Sequence, residues 1–140
     1  MASMPLTGAT SDDPRKLRDL LDKVVMLADD HRLTSVVVGM AGPDGDLIFP
    51  EVVDFVASAL RVDDAIFRMT RNRAVLFLAD ANETRAREIM ERVVDDFNER
   101  FATAANPSLG LSYFEVSPGK QGITLKVVLP SLFAPAENSH

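Results

Sequence analysis

Apolar residues recur every three or four positions in three long segments, and this spacing predicts amphipathic helices. Proline and acidic residues mark where these helices begin. Asp13 before Pro14 is typical of an N-cap with proline in the first turn. Asp80 and Glu83 have the spacing of a capping box at the start of the third helix. The predicted helices are Pro14–His31, Pro50–Arg61 and Glu83–Phe101.

Shorter apolar runs predict strands. The valine-rich run over Thr34–Met40 contains almost no polar residue and is typical of a strand buried on both faces. Two runs joined by the polar segment Thr70–Arg73 predict a β-hairpin. The run Ile123–Leu129 predicts a last strand near the C-terminus. The predicted strands are Thr34–Met40, Ala65–Met69, Ala74–Ala79, Leu109–Val116 and Ile123–Leu129.

The order of these elements predicts an α+β fold. A helix is followed by β-α-β-β-α-β, which is the ferredoxin-like arrangement of two helices packed on one face of an antiparallel sheet, and then by the extra C-terminal strand. The length of 140 residues fits one domain. We expect this domain to span residues 14–130, with flexible segments at 1–13 and 131–140. The ferredoxin-like fold serves many functions and does not identify one.

Composition excludes several classes of function. The chain has no cysteine, so it forms neither disulfides nor thiolate metal sites. A net charge of −6 argues against extended binding to DNA or RNA. No apolar run approaches the roughly 18 residues of a membrane helix, and the first residues lack the pattern of a secretion signal. We therefore expect a cytoplasmic protein without membrane insertion.

Several short motifs occur in a set order along the chain. Leu6-Thr7-Gly8 precede the first predicted helix, and Arg68 precedes the hairpin turn. Ala86 and Glu88 lie in the third helix, and Ser108-Leu109-Gly110 begin the following strand. In this order and spacing the chain resembles the GGDEF domain of diguanylate cyclases, which join two GTP molecules into cyclic di-GMP.

The hairpin turn differs from the G-G-D-E-F motif after which the family is named. Where the family has G-G-D-E-F, this chain has Thr70, Arg71, Asn72, Arg73 and Ala74. Side chains in place of the two glycines should obstruct the close approach of the backbone to a nucleotide. In the family, the acidic pair helps to hold divalent cations, and an amide and a guanidinium replace it here. The resemblance therefore implies a degenerate, non-catalytic member.

The first strand also lacks acidic residues that the family has. It contains Val38-Gly39-Met40-Ala41 where the family has the carboxylates of a D-x-D-x-F-K pattern. Asp44 and Asp46 in the following loop could be proposed as substitute ligands, but Asp-Gly pairs are ordinary in turns, and we favour a turn. We expect neither a metal site nor another cofactor.

One family site is retained. Arg61-Val62-Asp63-Asp64 matches the R-x-x-D motif that binds the product in feedback-inhibited cyclases, and Asp64 lies four residues before Arg68, as in the family. An arginine can grip O6 and N7 of guanine, and an aspartate can accept from the base's N–H groups. We therefore expect Arg61, Asp64 and Arg68 to bind cyclic di-GMP. Arg92 and Asp95 form a second R-x-x-D pattern, to which we assign no role.

Two functions stay open. The chain is either a non-catalytic module that binds cyclic di-GMP and relays to a protein partner, or a ligand-independent interaction or dimerisation scaffold. In the second case, Arg61 and Asp64 form a surface ion pair of little energetic value. A strand in place of the family's C-terminal helix would leave apolar surface exposed, which is typical of a homodimer or partner interface.

Overall fold

Within residues 13–43, 45, 47–101 and 109–133, which the computed structural model describes, helices and strands follow the predicted order with one exception near the C-terminus. The elements are α1 (Pro14–His31), β1 (Ser35–Ala41), α2 (Phe49–Ala59), β2 (Ala65–Thr70), β3 (Arg73–Leu78), α3 (Glu83–Arg100), β4 (Gly110–Val116) and α4 (Leu125–Leu132). No helix among these residues is long and apolar enough to cross a lipid bilayer.

The strands form one antiparallel sheet in the order β2-β3-β1-β4. This order confirms the predicted ferredoxin-like β-α-β-β-α-β core. β1 lies in the middle and pairs with β3 on one side and β4 on the other. Its residues from Ser35 to Met40 are all buried, which confirms the prediction of a strand covered on both faces.

Alternate side chains of β1 belong to two separate apolar cores. Val36, Val38 and Met40 pack with α2 and α3 on one face of the sheet. Val37 packs with α1 and α4 on the other face. Because a strand presents successive side chains to opposite faces, an unbroken apolar run requires helices on both.

The helix caps agree with the prediction at α1 and differ at α3. The Asp13 carboxylate accepts the Arg15 backbone N–H at 3.0 Å, as predicted. The predicted capping box of Asp80 and Glu83 is wrong. Asn82 is the N-cap of α3, and its side chain accepts the Arg85 backbone N–H at 2.8 Å. Asp80 instead adopts a left-handed backbone conformation, with φ of 54°, between β3 and α3.

The predicted extra C-terminal strand over Ile123–Leu129 is also wrong, because this segment forms α4. Leu125, Val128, Leu129 and Leu132 have helical spacing, and Val128 and Leu132 are buried against the sheet. A short apolar run fits either period, and packing on the sheet decides between them. The sheet face that the prediction left open is therefore covered by α1 and α4.

The segments assigned as flexible, 1–13 and 131–140, lie outside the described residues except at their inner ends. Asp13 caps α1, and residues 131–133 complete α4 and its C-cap.

We expect Gly39→Ala to destabilise the fold because α4 packs directly on β1 at this residue. A Cβ atom at Gly39 would lie 2.8 Å from the Leu132 Cβ, so the helix would have to move. Overpacking of this kind costs about 1–3 kcal/mol in the free energy of unfolding, measured by urea denaturation. The matched control is Gly110→Ala, whose Cβ would lie 3.6 Å from the Ala41 carbonyl oxygen, an ordinary contact. Equal stability of the two variants would contradict this packing of α4.

Candidate functional site

The turn between α2 and β2 places Arg61 and Asp64 side by side. α2 ends at Ala59, and the Asp64 backbone N–H donates to the Arg61 carbonyl at 3.0 Å, which closes a tight turn. The pairing of β2 with β3 brings this turn beside Ala79, the residue that follows β3. The structure therefore brings together the two ends of the R-x-x-D motif.

The Asp64 side chain is only 3% exposed, and its carboxylate accepts four hydrogen bonds. One oxygen accepts from the backbone N–H and Nε of Arg61, both at 3.0 Å. The other accepts from Arg61 Nη2 and from the Ala79 backbone N–H, also at 3.0 Å. A carboxylate has about four lone-pair sites, so none is left for a ligand in this conformation. The pair is thus not a simple surface ion pair.

Arg61 is partly exposed to solvent. Its side chain is 54% exposed, and Nη2 also donates to the Ala79 carbonyl. The Nη1 donors have no partner among the described residues. The hydrogen bond to Asp64 raises the pKa of Arg61, with further contributions from the nearby carboxylates of Asp80 and Asp63. The result is a permanently charged, oriented group with free N–H donors.

Arg85 and Arg92 of α3 line the same small cavity as Arg61. The cavity has a volume of about 170 Å³ and lies between α2, α3 and the sheet, with Leu60 and Ile89 among its apolar walls. Arg85 makes a long 3.4 Å contact to Glu88, and Arg92 has no partner within the described part of the chain. We call Arg61, Asp64, Arg85 and Arg92 the arginine corner.

The sequence analysis missed Arg85 and assigned no role to Arg92. Their separation of seven residues places both on one side of α3, and Ile89 between them packs against the core. This spacing was visible in the sequence. Its meaning depends on α3 packing beside α2, which brings that side of the helix to Arg61.

Arg68 does not join the arginine corner. Its guanidinium donates to the Asp54 carboxylate of α2 at 2.9 Å, and its side chain is mostly buried. Four residues of strand separate Arg68 from Asp64, which corresponds to about 13 Å at 3.3 Å per residue. Asp64 thus lies just before β2, whereas Arg68 lies within it and pairs with Asp54.

The hairpin turn is tied to the loop after β1. The Asn72 side-chain amide donates to the Gly42 carbonyl at 3.1 Å, and the Gly42 N–H donates to the Asn72 carbonyl at 2.9 Å. The Thr70 hydroxyl contacts the Asn72 side-chain oxygen at 3.0 Å and accepts the Asn72 N–H at 3.3 Å. Asn72 therefore supports the turn through a donor that a carboxylate lacks.

The other residues of the degenerate motif point to different places. Arg71 is exposed at the turn, and Ala74 is buried in the core. The Arg73 guanidinium lies 5.2 Å from the centre of the Phe133 ring, at the end of α4, in a cation–π contact. The turn thus does not gather these side chains around one site.

The alternative metal ligands Asp44 and Asp46 lie outside the described residues. Within the described residues, no group of three or more histidine, aspartate or glutamate side chains could hold a metal ion.

Comparison with solved structures identifies the fold. The chain superposes on the GGDEF domain of FimX from Pseudomonas aeruginosa with a TM-score of 0.69 and 12% identity, covering 92% of this chain and 93% of that one. The GGDEF domain of DgcB from Caulobacter crescentus, solved in complex with cyclic di-GMP, gives 0.69 and 14% identity, covering 99% and 93%. The chain therefore has a GGDEF-like fold, as the sequence resemblance implied.

PelD from Pseudomonas aeruginosa PAO1 gives a TM-score of 0.68 at 18% identity, over 84% of this chain. The match spans 44% of the PelD chain, so this chain corresponds to less than half of that protein. PelD has also been solved in complex with cyclic di-GMP. No family model and no curated protein sequence matches this chain.

We expect Asp64→Asn to destabilise the fold, because one of its oxygens becomes an N–H₂ group that faces other donors. Leaving buried donors unpaired costs about 1–3 kcal/mol in the free energy of unfolding. Asp63→Asn is the matched control, since Asp63 is exposed and its change should stay within about 0.5 kcal/mol. Urea denaturation of both variants measures the difference. If Asp64→Asn were as stable as Asp63→Asn, the four hydrogen bonds would not support the turn.

Proposed function

We propose that this chain is a non-catalytic GGDEF-like signalling module that binds cyclic di-GMP at the arginine corner and relays the signal to a protein partner. The orientation of Arg61 carries the proposal. Asp64 fixes the guanidinium of Arg61, whose side chain is 54% exposed and lines one cavity with Arg85 and Arg92. The complexes of DgcB and PelD with cyclic di-GMP, on the same fold, support this choice of ligand.

The chemistry of the ligand matches that of the corner. Cyclic di-GMP has two phosphates, which arginine binds through charge-assisted hydrogen bonds, and two guanines with O6 and N7 acceptors. The cavity of about 170 Å³ is smaller than the roughly 300–1,000 Å³ of typical ligand pockets. Most of the dinucleotide would therefore lie across the exposed arginines rather than inside the protein.

The residues take different parts in this proposal. Arg61 contacts the ligand, with Arg85 and Arg92 as further cations. Asp64 is a positioning residue, because its lone pairs are occupied by Arg61 and Ala79. Arg68 supports the fold through Asp54 rather than the ligand.

The hairpin turn supports the non-catalytic part of the proposal. Two hydrogen bonds join Asn72 to Gly42, where the family resemblance implies a cation between the turn and the first strand. The Arg73 guanidinium, at an acidic position of the family motif, lies over Phe133. Neither arrangement offers the carboxylates that magnesium-assisted phosphoryl transfer needs.

A ligand-independent scaffold is the second candidate, and the environment of Arg61 favours it. The carboxylates of Asp64, Asp80 and Asp63 all act on this guanidinium and oppose the binding of an anion. In that case the R-x-x-D motif serves to close the turn between α2 and β2.

We expect isothermal titration calorimetry to detect binding of cyclic di-GMP to the wild-type chain. Arg61→Ala and Arg92→Ala should each weaken it by about tenfold or more, since a charge-assisted hydrogen bond contributes about 1.5–3 kcal/mol. Arg71→Ala, which removes an exposed arginine at the hairpin turn, should bind like the wild type. Arg92 has no partner to lose within the described chain, so its variant reports on the ligand without disturbing the fold. Absence of heat with the wild type would favour the scaffold.

We expect no cyclic di-GMP or pyrophosphate from GTP and magnesium, because the turn lacks carboxylates to hold the cation. Chromatography of the reaction, with an active diguanylate cyclase run in parallel, makes the measurement. Product formation that scales with the concentration of this chain would refute the non-catalytic assignment.

A further inference from the structure

The backbone of β1 determines which residues of β4 have free hydrogen-bonding groups. In an antiparallel strand, successive residues direct these groups to opposite sides. The Thr34 carbonyl accepts the Ala81 N–H, and the Gly42 N–H donates to the Asn72 carbonyl. Even-numbered residues of β1 therefore bond toward β3, and odd-numbered residues bond toward β4.

β4 is an edge strand of the described sheet, and the backbone N–H and carbonyl groups of its odd-numbered residues are directed away from β1. Its even-numbered residues are the register partners of the odd-numbered residues of β1. Leu111, Tyr113 and Glu115 thus direct their backbone groups outward. The Glu115 carbonyl confirms this direction, since it accepts from Lys120 Nζ at 2.8 Å. The N–H and carbonyl groups of Leu111 and Tyr113 have no such partner within the described residues.

A groove of about 370 Å³ runs along this edge, between β4 and α3. Leu111 and Tyr113 form one wall, and Met90 and Val94 of α3 form the other. Burial raises the pKa of the Tyr113 hydroxyl, because it disfavours the charged phenolate. An unpaired backbone edge next to partly buried apolar side chains is the arrangement that strand addition uses.

The rim of the groove on α3 is acidic. Glu91 and Asp95 have no ion-pair partner within the described residues. Arg87 also lines the groove, where its guanidinium lies 4.4 Å from the centre of the Tyr113 ring and is paired with Glu83 at 2.8 Å. The two carboxylates lie four residues apart, about 6 Å along a helix. Alternate side chains of a strand are separated by about 6.6 Å. A strand lying in the groove could therefore present one basic side chain to each carboxylate.

We propose that the β4 edge binds an extended segment of a partner protein in which every second residue is lysine or arginine and the residues between are apolar. The segment pairs with the backbone of Leu111 and Tyr113. Its basic side chains lay their aliphatic stems on the groove wall and reach Glu91 and Asp95. This inference rests on the proposed function, because it gives the surface for the protein partner named there.

Charge argues against a second copy of this chain as the occupant. A symmetric dimer through β4 would bring the same surface of both subunits together. Glu91 and Asp95 of each subunit would then approach those of the other, and like charges in such contacts are destabilising. A basic segment would instead place positive charges beside Glu91 and Asp95, so the electrostatic interaction would be attractive.

The probe is a capped seven-residue peptide of alternating valine and lysine, with a valine–glutamate peptide as control, titrated in physiological salt without cyclic di-GMP. We expect the valine–lysine peptide to bind and the valine–glutamate peptide not to bind. Amide hydrogen exchange at Leu111 and Tyr113 should slow when it binds, because their N–H groups gain partners. Glu91→Lys/Asp95→Lys should weaken binding by about tenfold or more.

Asp19→Lys/Asp22→Lys on α1 is the matched variant, because it changes the net charge equally on the opposite face of the sheet. It should bind like the wild type. Equal loss in both double variants, binding without slower exchange at Leu111 and Tyr113, or no binding by the wild type would overturn the proposal. So would a concentration-dependent dimer that protects the same two amides. Cyclic di-GMP is absent from this titration, so its outcome is separate from that of the ligand proposal.

Discussion

The burial of β1 on both faces is the constraint from which the rest of the fold follows. A strand with apolar side chains on both sides is stable only between two layers of helices. α2 and α3 supply one layer, and α1 and α4 supply the other. The C-terminal segment becomes a helix for this reason, since a fifth strand would leave Val37 and its neighbours on that face less covered. The central place of β1 also leaves β2 and β4 as edges.

A second constraint acts at the turn that holds the R-x-x-D motif. A buried carboxylate must have its hydrogen-bonding sites filled, and Asp64 fills them from Arg61 and Ala79. The same contacts close the turn and fix the direction of the Arg61 guanidinium. The proposed ligand contact would use Arg61 donors that these hydrogen bonds leave free, so a structural role for the pair is compatible with the proposed binding.

α3 differs in charge between two of its sides, with two arginines on one side and two carboxylates beside Arg87 on the other. Arg85 and Arg92 lie beside the end of α2, where they favour an anion. Glu91 and Asp95 lie along β4, where they favour a cation. A net charge of −6 for the whole chain conceals this division. Residues of α3 therefore line both proposed binding surfaces.

The sequence by itself determined the elements whose apolar period is long and unambiguous. α1 has the predicted bounds, and α3 and the hairpin agree to within a residue at each end, because helical and strand periods differ clearly in those segments. The sequence also identified the GGDEF-like order of helices and strands. It identified the pairing of Arg61 with Asp64 as well, because residues three apart meet through local backbone geometry. Tertiary structure decided what depends on distant neighbours: that α4 is a helix, that Asn82 caps α3, that Arg68 turns to Asp54, and that Arg85 and Arg92 stand beside Arg61. Those outcomes depend on which surfaces pack together, and no local period encodes that choice.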